Sequence, residues 1–139
     1  MAKQPKTALA ILIDPFACTI GFIQIEAGNL QSYYAALSHE TMPVSLFEVA
    51  RHDGILAGRD AFFFDEEGLY KNAERACLFR DARVPILGKV LVVGANERGD
   101  TINCQSDINR VRAATEFLEL VPDLGFVPTQ TPWEKPANE

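Results

Sequence analysis

The chain has 139 residues, of which 47% are hydrophobic and 23% are charged, a composition typical of one folded globular domain rather than a disordered protein. No apolar run approaches the ~20 residues that span a bilayer, so we expect no membrane helix and no membrane partner. The formal net charge is −6 and no cluster of Lys and Arg is present, which argues against general nucleic-acid binding. The acidic excess fits either plain solubility or docking onto a basic partner surface.

The cysteines and the N-terminus indicate the compartment. Cys18, Cys77 and Cys104 are odd in number and far apart in sequence, as expected of free thiols in a reducing environment. Two lysines in the first six residues imitate the start of a secretory signal, but the apolar stretch behind them reaches Asp14 too early. We therefore expect a cytoplasmic protein whose N-terminus is a basic leader to the first strand.

The first third of the chain predicts a hairpin, a helix and a further extended segment. Residues 7–13 are apolar on both alternating faces, which is typical of a central strand, and residues 20–26 alternate as the second strand of a hairpin. Asn29 is a good N-cap for a helix that ends near Leu37. Residues 44–49 then predict a further extended segment.

The middle of the chain predicts a strand, an acidic turn and a short helix. Residues 59–65 contain three consecutive phenylalanines and predict a strand with bulky side chains on both faces. Residues 65–68, Asp-Glu-Glu-Gly, predict the turn that closes it. Residues 72–79 predict a short helix that begins at Asn72 and buries Cys77.

The last third predicts a second hairpin, a helix and a tail. Residues 86–94 are the most β-prone segment and pair with residues 101–105, while residues 106–120 predict the longest helix. Half of the eight prolines fall in the C-terminal segment and favour extended chain without regular structure. The sequence therefore predicts an α+β domain over residues 1–121, in which two to three helices pack on a mostly antiparallel sheet of five to six strands. A proline-rich extended tail over residues 122–139 follows it.

No catalytic, cofactor-binding or metal-ligating residue is predicted. A nucleophilic Cys77 would need a base such as His39 or His52. Asp60 would have to orient that base, and no local signature joins these positions. The cysteines and histidines lack the paired spacing of a zinc site, and residues 94–99 lack the Lys-Ser/Thr of a P-loop. We expect no cofactor, while a cysteine-dependent hydrolase or transferase stays open as an alternative.

Three features favour the binding of a protein partner. A helix that carries two adjacent tyrosines buries at most one of them fully. The acidic turn offers carboxylates to a basic surface. A tryptophan in the tail either anchors a partner or plugs the surface of its own domain. The candidate partner-binding residues are Tyr33, Tyr34, Asp65, Glu66, Glu67 and Trp133.

Several landmarks follow one another in a characteristic order. They are Ile-Asp-Pro-Phe at 13–16, Phe-Asp-Glu-Glu-Gly-Leu at 64–69 with Asn72 behind it, Pro-Ile-Leu-Gly-Lys-Val-Leu-Val-Val-Gly at 85–94, and Gly-Asp-Thr at 99–101. With them the chain resembles, over residues 8–105, a family of small domains of unknown function carried by phages and conjugative plasmids. The resemblance implies an accessory protein of a mobile genetic element in a bacterial host cell, and it carries over no catalytic residue.

These observations favour a non-enzymatic accessory protein that binds a host protein, for instance an inhibitor of host defence of the anti-CRISPR or anti-restriction type. A self partner is also possible, because uncovered sheet edges can pair in a homodimer. The alternative is a small-ligand or nucleotide-binding protein. In that case residues 62–64 would line an apolar pocket, and Arg75, Arg80 and Arg83 would contact phosphate.

Overall fold

Every strand pair in the described part of the chain is antiparallel, and the strands divide into two sheets. The computed structural model describes residues 7–44, 49–53, 60–67, 74–79, 85–98 and 100–129. In chain order the elements are β1 (Thr7–Asp14), β2 (Thr19–Glu26), α1 (Leu30–Leu37), β3 (Val49–Asp53), β4 (Ala61–Asp65), β5 (Arg75–Phe79), β6 (Ile86–Leu87), β7 (Val90–Ala95), β8 (Thr101–Ile102), α2 (Ile108–Ala114), β9 (Thr115–Val121) and β10 (Gly125–Thr129).

The two sheets differ in size and order. The larger sheet has six strands in the order β2-β1-β7-β4-β3, with the short β8 paired to the end of β7. The smaller sheet has four strands in the order β10-β9-β5-β6. The predicted α+β class and antiparallel pairing are confirmed. The described residues hold ten strands in two sheets, however, instead of five to six strands in one.

The larger sheet is buried on both faces. Successive residues of a strand point to opposite faces, so a strand that is apolar throughout needs a cover on each. One face packs against the smaller sheet and α2, through Ile11, Ile13, Ile20, Phe62, Cys77, Phe79, Val90, Val92, Val111 and Phe117. The other face packs against α1, through Ala8, Ala10, Ile25, Tyr33, Leu37, Leu91 and Val93. The large sheet is therefore the middle layer of the molecule.

The first predicted hairpin is confirmed, and the second is confirmed only over β7 and β8, because residues 86–87 form β6 of the smaller sheet and residues 103–105 are not in a strand. β1 pairs with β2 along all eight residues of each strand. Asp14 stabilises the turn between them, because its Oδ1 accepts the N–H groups of Phe16 at 2.9 Å and Ala17 at 3.2 Å. In the second hairpin Gly94 of β7 lies opposite Ile102 of β8.

The prediction of a helix over residues 72–79 is wrong, because residues 75–79 form the strand β5. Cys77 and Phe79 point into the core between the sheets, whereas Ala76 points the other way and is also buried. This two-residue period is that of a strand. β5 lies between β9 and β6, and pairing on both sides overrides the local helix propensity. Residues 72 and 73 lie outside the described part.

The segment predicted as one long helix, residues 106–120, forms two elements, the helix α2 and the strand β9. α2 is capped by Asp107, but it ends after two turns and β9 follows at once. Thr115 closes the helix, because its hydroxyl donates to the Val111 carbonyl oxygen at 2.6 Å. From Thr115 onward Phe117 points into the core between the sheets, whereas Leu118 points the other way and is also buried, and pairing with β5 then favours a strand.

Regular structure continues beyond residue 121, where the sequence predicts only a tail. β10 pairs with β9 and forms an edge of the smaller sheet. An edge strand tolerates Pro128, because one side of its backbone needs no hydrogen bonds. The turn before β10 places Asp123 at φ 70° and Gly125 at φ 80°. The prediction that regular structure ends at residue 121 is therefore wrong, and residues 130–139 lie outside the described part.

Gly94 is expected to be essential for the β7–β8 hairpin. A Cβ there would lie 2.8 Å from the carbonyl oxygen of Ile102 and closer still to the backbone of Asn103. Since that backbone is fixed by the hairpin, Gly94→Ala should lower the free energy of unfolding by about 2–3 kcal/mol. Gly21→Ala is the matched control, because nothing lies within 4 Å of its added Cβ. Urea denaturation compares the two variants, and equal losses would contradict the close approach at Gly94.

Candidate functional site

The two adjacent tyrosines of α1 take different positions. Tyr33 is buried, its hydroxyl lies 2.8 Å from Oγ1 of Thr101, and its ring packs against Phe63. Tyr34 is half-buried. The prediction that the helix buries only one of them is confirmed. Tyr33 is therefore a core residue that no partner reaches in this conformation, and partner binding by Tyr34 stays a prediction.

The acidic turn after β4 presents two of its three carboxylates. Asp65 is buried, and its Oδ1 accepts the N–H of Glu67 at 2.8 Å, which fixes the turn. Glu66 and Glu67 are exposed and add to the negative surface. A role of Asp65 in partner binding is thus at odds with its burial, whereas that of the two glutamates stays a prediction. Trp133 lies outside the described residues.

Cys77 does not have the environment of a catalytic nucleophile. Its side chain is fully buried, and Sγ donates to the carbonyl oxygen of Gly88 at 3.5 Å. Burial, with a smaller contribution from Asp14, raises the pKa of this thiol well above its ordinary value. His39, one candidate base, stacks on Phe16 with ring centroids 3.8 Å apart. The reactive thiolate is therefore strongly disfavoured at Cys77.

The two partly buried thiols are also held in the protonated form. Burial raises the pKa of Cys104 to about 11, and the negative charge of Asp60 adds to the shift. Burial also raises the pKa of Cys18, against the opposing effect of the Arg75 guanidinium. Within the described ranges, no three His, Cys, Asp or Glu side chains form a group that could hold a metal ion.

Asp60, the group considered for orienting a catalytic base, is occupied by the backbone before α2. Its buried carboxylate accepts the N–H of Gln105 at 3.0 Å and the N–H of Ser106 at 2.7 Å. The Ser106 hydroxyl donates a further bond of 2.6 Å. These donors compensate the cost of burying the charge. Asp60 therefore fixes the entry to α2.

Two of the landmark segments meet at one end of the larger sheet. Nζ of Lys89, just before β7, lies 3.8 Å from Oδ2 of Asp14 and donates to the Ser38 carbonyl oxygen at 2.9 Å. Both charged side chains are mostly buried. Next to them Gly88 adopts φ 86°, and its backbone lies against the thioether of the buried Met42. The landmarks therefore build a structural joint between β1, β7 and the end of α1.

The phenylalanines of β4 do not line one ligand pocket. Phe63 faces α1, whereas its neighbours at 62 and 64 face the smaller sheet. Arg75, a candidate phosphate contact, forms an ion pair of 3.2 Å with Glu119. The other two candidate arginines lie outside the described residues. The apolar pocket considered from the sequence is therefore not formed by these rings.

An open cavity of about 360 Å³ lies beside the β7–β8 turn. Asn96 organises this turn, because its Oδ1 accepts the N–H groups of Arg98 and Asp100, both at 2.9 Å. A phosphate loop needs backbone N–H groups that point to the ligand. Here two of those groups are used by Asn96, so the turn is a self-contained connection. The cavity is lined by Ala95, Asn96, Glu97, Arg98, Ile102 and Gln105.

The most exposed large apolar side chain lies where the sequence predicts a tail. Among the described residues, the large apolar side chains exposed by more than a third are Leu9 (37%), Phe22 (49%), Leu30 (51%), Leu120 (45%) and Leu124 (74%). Leu124 lies in the turn of the β9–β10 hairpin, and Leu120 is paired with the half-buried Phe126 on one face of it. We call Leu120, Leu124 and Phe126 the hairpin surface.

Acidic residues accompany the hairpin surface. Asp123 precedes Leu124 in the turn and is exposed. Glu116 is exposed on the same face of β9 as Leu120, as the two-residue period requires. No Lys or Arg occurs between residues 115 and 129. The hairpin surface is therefore apolar with a negative margin.

The sequence did contain a signal for this hairpin. Residues 115–121 place the β-prone Thr115, Phe117 and Val121 on one face of a strand, and Asp-Leu-Gly at 123–125 is a turn sequence between two extended stretches. The helical stripe over residues 106–120 and the density of prolines concealed both. A strand that begins directly at a helix end has no connecting loop to mark it.

The comparisons with known proteins assign neither a family nor a function to this chain. Comparison with protein-family models, with curated proteins and with solved structures found no match to this chain. The resemblance to phage and plasmid domains, the cytoplasmic location and the absence of a cofactor therefore stay predictions. In the part of the chain that the structure describes, no helix has the length and apolar character needed to cross a membrane.

The raised thiol pKa values predict low cysteine reactivity. With the pKa of Cys104 at about 11, about one thiol in a thousand is ionised at pH 8. We expect alkylation of native Cys104 to be at least ~100-fold slower than that of a free thiol, and to accelerate as the pH rises towards 11. Cys77 should react only after unfolding. Peptide mass spectrometry measures both rates, with protein in denaturant as the control, and fast alkylation of native Cys77 would contradict its inert environment.

Proposed function

We propose that this chain is a non-enzymatic accessory protein that binds a host protein through the hairpin surface. The observation that carries the proposal is the exposure of Leu124, 74% of which is open to solvent at the turn of a paired hairpin. A leucine buried by a partner contributes about 1.5–3 kcal/mol. Protruding apolar side chains on a fixed backbone are suited to fill a pocket in another protein.

The hairpin is a rigid support for such a contact. β9 is bonded on its other side to β5 over five residue pairs, and Phe117 anchors it in the core. Leu120 adds an N–H bond of 2.8 Å to the carbonyl oxygen of Glu74. Little conformational entropy is therefore lost when a partner covers the surface.

The charge of the margin indicates the chemistry of the partner. Asp123 is exposed directly before Leu124, Glu116 is exposed on the same face of β9 as Leu120, and the whole chain is acidic. A partner cleft that is apolar in the centre and lined by Lys or Arg at its margin would complement this surface. Nucleic-acid-processing proteins of the host carry such basic clefts. This is consistent with the inhibitor of host defence that the resemblance to mobile-element domains suggests.

A pull-down with paired leucine variants tests the proposal. Tagged full-length protein is incubated with lysate of a susceptible bacterial host, and bound proteins are identified by mass spectrometry. We expect one stoichiometric host protein, with its apparent Kd raised at least ~10-fold by Leu124→Ser. Leu30→Ser is the matched control, because Leu30 is exposed by 51% on α1, away from the hairpin.

The results separate the competing functions. A host protein retained equally by both variants would overturn the role of the hairpin surface. An empty protein lane with a nucleotide released by denaturing extraction would favour the ligand-binding alternative. Binding that is lost with Leu124→Ser and kept with Leu30→Ser supports the proposal.

A further inference from the structure

The outer edge of the larger sheet is formed by β2, whose backbone has a definite pattern of bonded and open groups. In an antiparallel pair, alternate residues direct both N–H and C=O towards the partner strand, and the residues between them direct both groups away. The register of β1 and β2 places Ile23 opposite Ala10. The outward-directed residues of β2 are Ile20, Phe22, Gln24 and Glu26, as the contacts at both ends show.

Side chains of the same molecule occupy both ends of this edge. At Ile20 the carbonyl oxygen accepts a bond of 2.8 Å from the guanidinium of Arg112 in α2. At Glu26 the N–H donates a bond of 3.0 Å to the hydroxyl of Ser32 in α1. The two contacts lie symmetrically on either side of Ile23. They leave the middle of the edge open.

Phe22 and Gln24 form this open middle. Among the described residues, no group bonds the outward N–H and C=O of either one. Both side chains are exposed, Phe22 by 49%. Exposed strand edges with free backbone groups pair readily with another strand. Four open backbone groups and an exposed aromatic ring thus lie together on β2.

We infer that this edge pairs with β2 of a second copy, antiparallel, about a two-fold axis through Ile23. In that register Phe22 of each copy lies opposite Gln24 of the other. Each open N–H then meets an open C=O, so four hydrogen bonds form and none of the open groups remains unbonded. A shift of two residues would place open groups against the ends already occupied by Arg112 or Ser32. The edge is therefore self-complementary in one register only.

The side chains fit the same arrangement. Ile23 meets its own copy directly across the axis in a non-hydrogen-bonded pair, where side chains approach most closely. Phe22 lies diagonally across from the second copy's Phe22, within reach of an aromatic ring. Cross-strand pairs that involve aromatic side chains contribute to the stability of a sheet. The exposed area of Phe22 is buried by this contact.

The charges at the ends of the edge are complementary as well. Ile20 of one copy is opposite Glu26 of the other, and Arg112 lies at Ile20. Phe22, Gln24 and Glu26 share one face of the sheet, the face on which α2 packs. The guanidinium of Arg112 thus approaches the second copy's Glu26 carboxylate. Symmetry repeats this ion pair at the other end, so both ends favour the second copy over an uncharged strand.

A backbone substitution tests the dimer without changing the fold. Gln24→Pro removes an N–H that bonds nothing within the monomer, and edge strands tolerate proline. Sedimentation equilibrium of the full chain should give twice the monomer mass. We expect the dimer dissociation constant to rise at least tenfold in Gln24→Pro and to stay unchanged in the control Gln24→Ala. Circular dichroism checks that both variants fold.

A cross-link tests the register independently. Ile23→Cys places a thiol on the two-fold axis, at a separation that a disulfide can bridge. Mild oxidation should join the two copies, and mass spectrometry should find the Ile23→Cys peptide linked to itself. Thr19→Cys is the control in the same background, because the two copies of Thr19 are about 26 Å apart along the strands. It should remain uncross-linked.

Failure of this inference is distinct from failure of the proposed function. The dimer is measured with pure protein, whereas the hairpin surface is tested in host lysate with a variant on the other sheet. A wild-type chain that stays monomeric at millimolar concentration, or a dimer that Gln24→Pro and Ile23→Cys leave unaffected, would overturn the pairing at β2.

Discussion

The structure depends on one constraint, which is that the central strands of the larger sheet are apolar on both faces. β1 and β7 carry Ile and Val towards one side and Ala, Leu and Val towards the other, so each face must be kept from water. α1 packs on one face through Tyr33 and Leu37. The other needs the smaller sheet together with α2, which explains why a chain of this length forms a second sheet at all. Junctions such as the Asp14–Lys89 ion pair hold these layers in place.

The coverage is incomplete at two margins, and these are the surfaces that we propose for partner binding. The β9–β10 hairpin projects Leu124 beyond the core, and the β2 edge leaves Phe22 open. Because the hairpin belongs to the smaller sheet and β2 to the larger one, occupation of one does not use residues of the other. A dimer through β2 would present two hairpin surfaces. Simultaneous contact with a repeated or symmetric target would then strengthen binding without any new contact.

The local pattern of the sequence predicted most strands of the larger sheet, though not β3, and hardly any of the smaller sheet. Both hairpins, the α1 helix with its Asn29 cap and the strand containing Phe62 follow from neighbours in sequence. The smaller sheet instead depends on β5 pairing with β9 some forty residues later, and no local period records such a contact. The hairpin surface was missed for a different reason, because the helical stripe over residues 106–120 and the density of prolines concealed a local hairpin. The low reactivity of Cys77 was predicted from the sequence, because a small apolar thiol without neighbouring bases is typical of a protein core.

The contact between Met42 and Gly88 has a consequence for the chemical ageing of the protein. Met42 is 2% exposed, and its sulfur fills the space that a side chain at Gly88 would need. Oxidation to the sulfoxide adds a polar oxygen for which this space has no room. Oxidants therefore reach the sulfur only while Met42 is separated from Gly88, and the sulfoxide prevents the two from packing together again. The sulfoxide content of Met42 in an aged sample is thus a cumulative record of how often this joint has opened.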